Sequence, residues 1–214
     1  MKIAVCLYGV VGNKMTKAGS ASDSSEILHM GYNKYLENIF SKYDTDVYLH
    51  TWSTDFRKDI LGLYKPKNFI IEKQELFDVP EHVKGDNHQQ PNRVQNHYSR
   101  WRSTEKVLSL LEHSGKKYDF VLLTRYDLGL ENPFYFENLN KDKLYVSKWQ
   151  GVTYDHVKDI FQDGRGIYYE INKYHKLDKT KRYNRGYPYD GEGILDLWFL
   201  GNQEKIMIFK NLYS

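Results

Sequence analysis

At 214 residues and 25.5 kDa, with 40% hydrophobic content, the chain is long enough to bury a core as one large α/β domain or two small ones. A net charge of +3 and a pI near 8.6 are too mild, with basic residues too dispersed, to argue for a nucleic-acid partner. The single cysteine, Cys6, excludes an intrachain disulfide and any multi-cysteine metal site.

Lys2 to Leu7 reads as a first strand carrying a buried, inert Cys6 thiol. The apolar opening, Ile3 to Val11, is too short to span a membrane and lacks a small-residue cleavage site after it, so a soluble protein of a reducing compartment, the cytoplasm, is expected. The glycines that follow, Gly9, Gly12 and Gly19, lack the spacing of a dinucleotide fingerprint and the lysine of a phosphate-binding loop. They suit either a plain strand-to-loop turn or the close approach of a flat base to Leu7, Tyr8 and Gly9. Ser24 or Ser25 can cap a helix whose apolar residues run from Ile27 to Phe40. Asp46 to Leu49 reads as a second strand ending at His50-Thr51-Trp52, where His50 is more readily a satisfied structural histidine than a ligand. Phe69 to Ile71 is a third, short strand, and Val79 to Asn92 a polar loop.

Arg93 to His113 carries Trp101, Val107, Leu108 and Leu111 at helical spacing, with Gly115 just beyond it. Its opening offers Arg100 and Arg102 as forks for phosphate oxygens, each of them equally able to be a solvated surface residue. The apolar run Phe120 to Leu123 reads as a fully buried strand that runs into Arg125-Tyr126-Asp127. In open α/β sheets ligands bind beyond the carboxyl ends of the strands, where Asp127 can hold a hard divalent cation against a diphosphate or merely start a turn before Gly129. Leu144 to Ser147 is a short strand, and Gly151 to Tyr189 is loop-rich. Its basic stretch, Lys173 to Arg185, reads first as a solvated loop. The acidic turn Asp190-Gly191-Glu192 leads to Asp196 within a late strand near Leu197 to Leu200, and a last helix starts at Asn202. Three carboxylates interleaved with glycine and aromatics can present acid groups and a stacking ring to a sugar. Asp196, facing an apolar segment, needs a partner. The 19 tyrosines, mostly ordinary core and surface residues, also suit sugar and base contacts.

Alternating strands and helices imply a single central, mostly parallel but mixed sheet with helices on both faces. The last helix ends at Ser214 without a cap or exit turn, as expected of one domain cut from a longer polypeptide.

The order of four motifs carries a resemblance. A strand ending in His50-Thr51-Trp52, a helix with Tyr98-Ser99-Arg100-Trp101, a strand into Arg125-Tyr126-Asp127 and a late Asp196-Leu197-Trp198-Phe199-Leu200-Gly201 resemble small GT-A-fold glycosyltransferases of polysaccharide assembly. More closely, the whole chain resembles the N-terminal glycosyltransferase domain of a chlorella-virus protein that builds capsid glycans. The resemblance implies a single GT-A-like domain over residues 1–214, acting in the host cytoplasm if viral. It implies a UDP-sugar donor, a glycan acceptor, and Mn²⁺ or Mg²⁺ held by Asp127. Arg100, Arg125 and Tyr126 would join Leu7, Tyr8 and Gly9 around the nucleotide. Asp196, Asp190 and Glu192 would be the candidate catalytic carboxylates, with Asp155 next in line. The family's Asp-x-Asp motif reads Arg125-Tyr126-Asp127 here, so its first carboxylate is replaced by an arginine that cannot ligate a metal. That departure keeps a second reading open, a nucleotide-sugar or carbohydrate-binding module without turnover.

Overall fold

The computed structural model describes residues 1–11, 24–78, 91–126, 128, 134–148 and 194–213. A six-stranded mixed sheet has the order β3-β2-β1-β4-β6-β5, with β1 Lys2–Tyr8, β2 Asp44–Thr51, β3 Asn68–Ile71, β4 Phe120–Arg125, β5 Tyr145–Lys148 and β6 Ile194–Gly201. The helices are α1 Ser24–Tyr35, α2 Arg57–Tyr64, α3 Pro91–His113 and α4 Gln203–Met207. By internal contacts the chain divides into one unit of 1–145 with 197–214 and a second of 146–196.

Strand β1 lies between β2 and β4 and is parallel to both, in a register that sets Leu7 beside Leu49 and Thr124, and Tyr8 beside Arg125. Such a strand has no solvent face, which explains its unbroken apolar run from Ile3 to Leu7. Strand β6 pairs antiparallel with β4, from Val121↔Gly201 to Thr124↔Trp198, which makes the sheet mixed. The α/β class and the helices on both faces are those expected from the sequence.

Side chains alternate across the sheet. Ile3, Val5, Leu7, Leu49 and Leu122 join one core cluster with Leu28 of α1, Ile39 of the π-helical turn that follows it, and Ile60 of α2. Tyr8, His50 and Arg125 stand at the alternate positions, on the face covered by α3. The eight-residue helix α2 has no counterpart among the elements expected from the sequence. Only its Ile60 and Tyr64 are buried, too few to print a helical period on the sequence. At the other end of the chain, the Asn202 side chain accepts the Lys205 amide at 3.0 Å and caps α4.

Candidate functional site

Two neighbouring parallel strands, β1 and β4, end side by side at Tyr8 and Arg125. Helix α3 packs over β1, β2 and β3 and contributes Arg100. Its Nη2 donates to the Tyr8 hydroxyl at 3.3 Å, and its guanidinium lies 5.7 Å from the Tyr8 ring centroid and 4.6 Å from that of Trp101. Burial lowers the Arg100 pKa. The Tyr8 hydroxyl works against that shift, and the nearby positive charge of Arg125 adds to it. Arg125, the register partner of Tyr8, thus stands on the same face of the sheet as Arg100, near enough for its charge to act on it, and arginine is a side chain able to bind phosphate oxygens. The end of β4 is pinned from below, where the Tyr35 hydroxyl donates to the Arg125 carbonyl at 2.7 Å and lies 2.9 Å from Thr124 Oγ1.

The structure sorts the expected nucleotide residues between two faces. Tyr8, Arg100 and Arg125 come together. Leu7 and Tyr126 do not join them. Both are fully buried in the core cluster on the opposite face, where Tyr126 packs edge-on against Tyr64 and its hydroxyl donates to the His50 carbonyl at 3.3 Å. The side chains of Leu7 and Tyr8 point to opposite faces because successive residues of a strand alternate; this leaves the backbone at Leu7 and Gly9, through which the base is expected to be held, at the strand end. Gly9 has a φ of +99°, a conformation that favours glycine, and a side chain there would meet nothing within 4 Å. Its amide donates to Ser103 Oγ at 2.8 Å and its carbonyl accepts the Trp52 amide at 3.2 Å. The base edge expected to pair with the Gly9 backbone would therefore find its donor already engaged.

Arg102 also parts from Arg100. Two residues turn a helix by about 200°, so Arg102 faces away, 2.7 Å from Glu105 and 3.4 Å from Glu75, with its guanidinium over the Tyr213 ring. Asp127, Asp190, Glu192 and Asp155 lie outside the described residues, as does 173–185. Asp196 is placed by its backbone in β6, two residues before Trp198.

His50 is the satisfied histidine expected from its strand-end position. It is fully buried, with Nδ1 2.6 Å from Ser103 Oγ, Nε2 3.1 Å from Glu72 Oε1 and the ring edge-on to Trp52. Glu72 and Glu75 both pair with Lys106, whose ammonium lies 4.9 Å from the Trp52 ring centroid. Sequence reasoning missed Ser103 and Glu72. The available signal was a run of small polar residues, Ser99, Ser103 and Thr104, that are buried where the apolar stripe of α3 continues toward Val107, Leu108 and Leu111.

Burial lowers the His50 pKa to about 4 from an ordinary 6.5, against the raising effect of Glu72. Between those values the unfolded chain binds a proton that the folded chain refuses, so stability falls as pH falls. The full loss is about 3 kcal/mol, since each tenfold drop in proton affinity is worth ~1.4 kcal/mol. Urea midpoints of the parent and His50→Gln from pH 7 to 4.5 should converge as pH drops. Parallel curves would show that His50 does not carry the dependence.

Among the described residues no three His, Cys, Asp or Glu side chains group together as a metal site, and no helix is long and apolar enough to cross a membrane.

No protein-family model matches the chain, and no curated protein matches it. Among solved structures, mouse xyloside xylosyltransferase 1 in its apo form is similar at 13% identity, covering 100% of this chain and 71% of that one, with a TM-score of 0.41. So loose a likeness leaves the chemistry to be argued from this chain's own residues.

Proposed function

We propose that the protein is a metal-dependent glycosyltransferase that moves a hexose or deoxyhexose from a UDP-sugar to a growing glycan. The observation that carries this reading is the convergence of Arg100 and Arg125 beside Tyr8 at the carboxyl ends of β1 and β4. Asp127 follows two residues after Arg125 in the sequence. The sequence resemblance extends the proposal to viral capsid glycans built in the host cytoplasm.

A hard cation such as Mn²⁺ or Mg²⁺ would be held by Asp127 as one oxygen ligand, with diphosphate oxygens, water or one more carboxylate completing the set. A bound cation there supplies Lewis-acid stabilisation of the leaving diphosphate. The two arginines orient the diphosphate and offset the charge that develops on it. In an inverting course, the acceptor hydroxyl oxygen attacks the anomeric carbon and the bond to the diphosphate breaks. The electron pair stays on the UDP oxygen, and Asp196, Asp190 or Glu192 takes the hydroxyl proton. In a retaining course the same carboxylates would stabilise the oxocarbenium-like centre.

Calorimetry with UDP and GDP, with and without Mn²⁺, tests the reading. UDP should bind more tightly than GDP and only with metal, and Asp127→Ala should abolish the metal-dependent part. Unchanged metal-dependent UDP affinity in that variant would remove Asp127 from the site. Metal-dependent binding without transfer to any glycan acceptor would favour the binding module.

A further inference from the structure

We infer that Ser103 and His50 are positioning residues that set the conformation of Gly9, and through it the edge of the nucleotide site at Tyr8 and Gly9; this rests on the proposed glycosyltransferase reading.

The argument is one of donors and acceptors. Gly9 donates its amide to Ser103 Oγ at 2.8 Å. A serine hydroxyl has a single proton, and His50 Nδ1 is 2.6 Å from that oxygen. The other ring nitrogen, Nε2, faces the Glu72 carboxylate at 3.1 Å, and a carboxylate only accepts. The ring proton therefore resides on Nε2, and Nδ1 accepts from the serine. One directed chain results, from the Gly9 amide to the Ser103 hydroxyl to His50, which in turn donates to Glu72. Lys106 pairs with that same Glu72 oxygen and holds it in place.

The Ser103 hydroxyl and both His50 ring nitrogens are engaged in this relay, and neither residue has solvent exposure. Serine, histidine and acid in a row can serve hydrolysis, but this hydroxyl is closed off from substrate and already accepts the Gly9 amide. Its remaining role is to hold a backbone. Gly9 is the first residue past β1, has a positive φ, and has open space where a side chain would project. Tyr8, its neighbour, carries the hydroxyl that meets Arg100. A ligand that enters over Gly9 meets a peptide already fixed from α3 through Ser103 and from the residue after β2 through the Trp52 amide. Fixing it in advance spares the ligand the entropy of ordering it.

The test compares Ser103→Ala, Ser103→Thr and Val107→Ala in the full chain. Val107 is a fully buried residue one turn along the same helix whose aliphatic side chain cannot hydrogen-bond the Gly9 amide, so its truncation controls for general destabilisation. Each variant is measured below its melting temperature for UDP affinity with Mn²⁺ and for hydrogen exchange at the Gly9 amide. Ser103→Ala should weaken UDP binding about tenfold and speed Gly9 exchange beyond the change seen in Val107→Ala. Ser103→Thr, which keeps the hydroxyl, should restore both. Equal effects in Ser103→Ala and Val107→Ala, or an unmoved Gly9 amide, would overturn the inference. If the parent binds no UDP, the glycosyltransferase reading fails, and with it the nucleotide part of this inference. The Gly9 exchange rates still decide whether Ser103 fixes the backbone.

Discussion

Gly31→Ala should destabilise the protein by about 2 kcal/mol or more, although alanine is the better helix former. On an open helix surface the exchange gains about 1 kcal/mol. At position 31 an added Cβ would stand 2.3 Å from the Tyr126 carbonyl oxygen, 3.5 Å from its carbon and 3.9 Å from the Leu128 carbonyl oxygen. The obstacle is backbone and cannot rotate away. Either α1 withdraws from the sheet or the Tyr126 peptide shifts, and overpacking of this kind costs about 1–3 kcal/mol, occasionally more. Tyr126 has little freedom to shift, since its ring is fully buried and its hydroxyl is bonded to the His50 carbonyl. The control is Gly62→Ala in α2, where an added Cβ meets nothing within 4 Å and the helix-propensity gain should appear unopposed. Urea unfolding of both variants decides the matter. If Gly31→Ala matches Gly62→Ala in stability, α1 does not need to approach the β4 exit that closely. Because Asp127 lies between Tyr126 and Leu128 in the sequence, metal-dependent UDP affinity should also fall in Gly31→Ala.

Asp196→Asn should slow sugar transfer by ~10²–10⁴-fold, the usual loss when a general base is removed, and leave UDP affinity near that of the parent. The two effects separate because the diphosphate is assigned to Arg100, Arg125 and Asp127, none of which the substitution changes. Asparagine keeps the size and much of the hydrogen bonding of aspartate, so a loss of rate reports on the missing negative charge and basicity. The paired measurement is UDP affinity and transfer rate for Asp196→Asn, Asp190→Asn and Glu192→Gln. If all three variants transfer at the parent rate, the acidic turn is structural and Asp155 is the next carboxylate to test.

The buried strands are legible in the sequence because their chemistry is local. Phe120 to Leu123 is apolar throughout, and Ile3 to Leu7 likewise, since each belongs to a central strand flanked by strands on both sides and buried on both faces. The strands extend a residue or two beyond those apolar runs, to Tyr8 and Arg125, because the backbone ladder continues whatever side chains it carries. Helix α3 is legible from its length and stripe, and His50 from the rarity of an unsatisfied histidine at a buried strand end. Helix α2 is not, with two buried residues in eight.

What the amino-acid sequence determined by itself is the set of elements rich in period and apolar content, the parallel pairing implied by their alternation, and which side chains are chemically able candidates. What only the tertiary structure decided is which of those groups meet. Tyr8 and Arg125 turn to the α3 face while their neighbours Leu7 and Tyr126 turn to the core, and Arg100 is delivered to the strand ends while Arg102 is spent on Glu75 and Glu105. Ser103, 94 residues from Gly9, became its acceptor only through packing. The physical reason is that strand and helix periods fix directions relative to an element's own axis. Register and helix docking, which are long-range, fix those axes relative to one another.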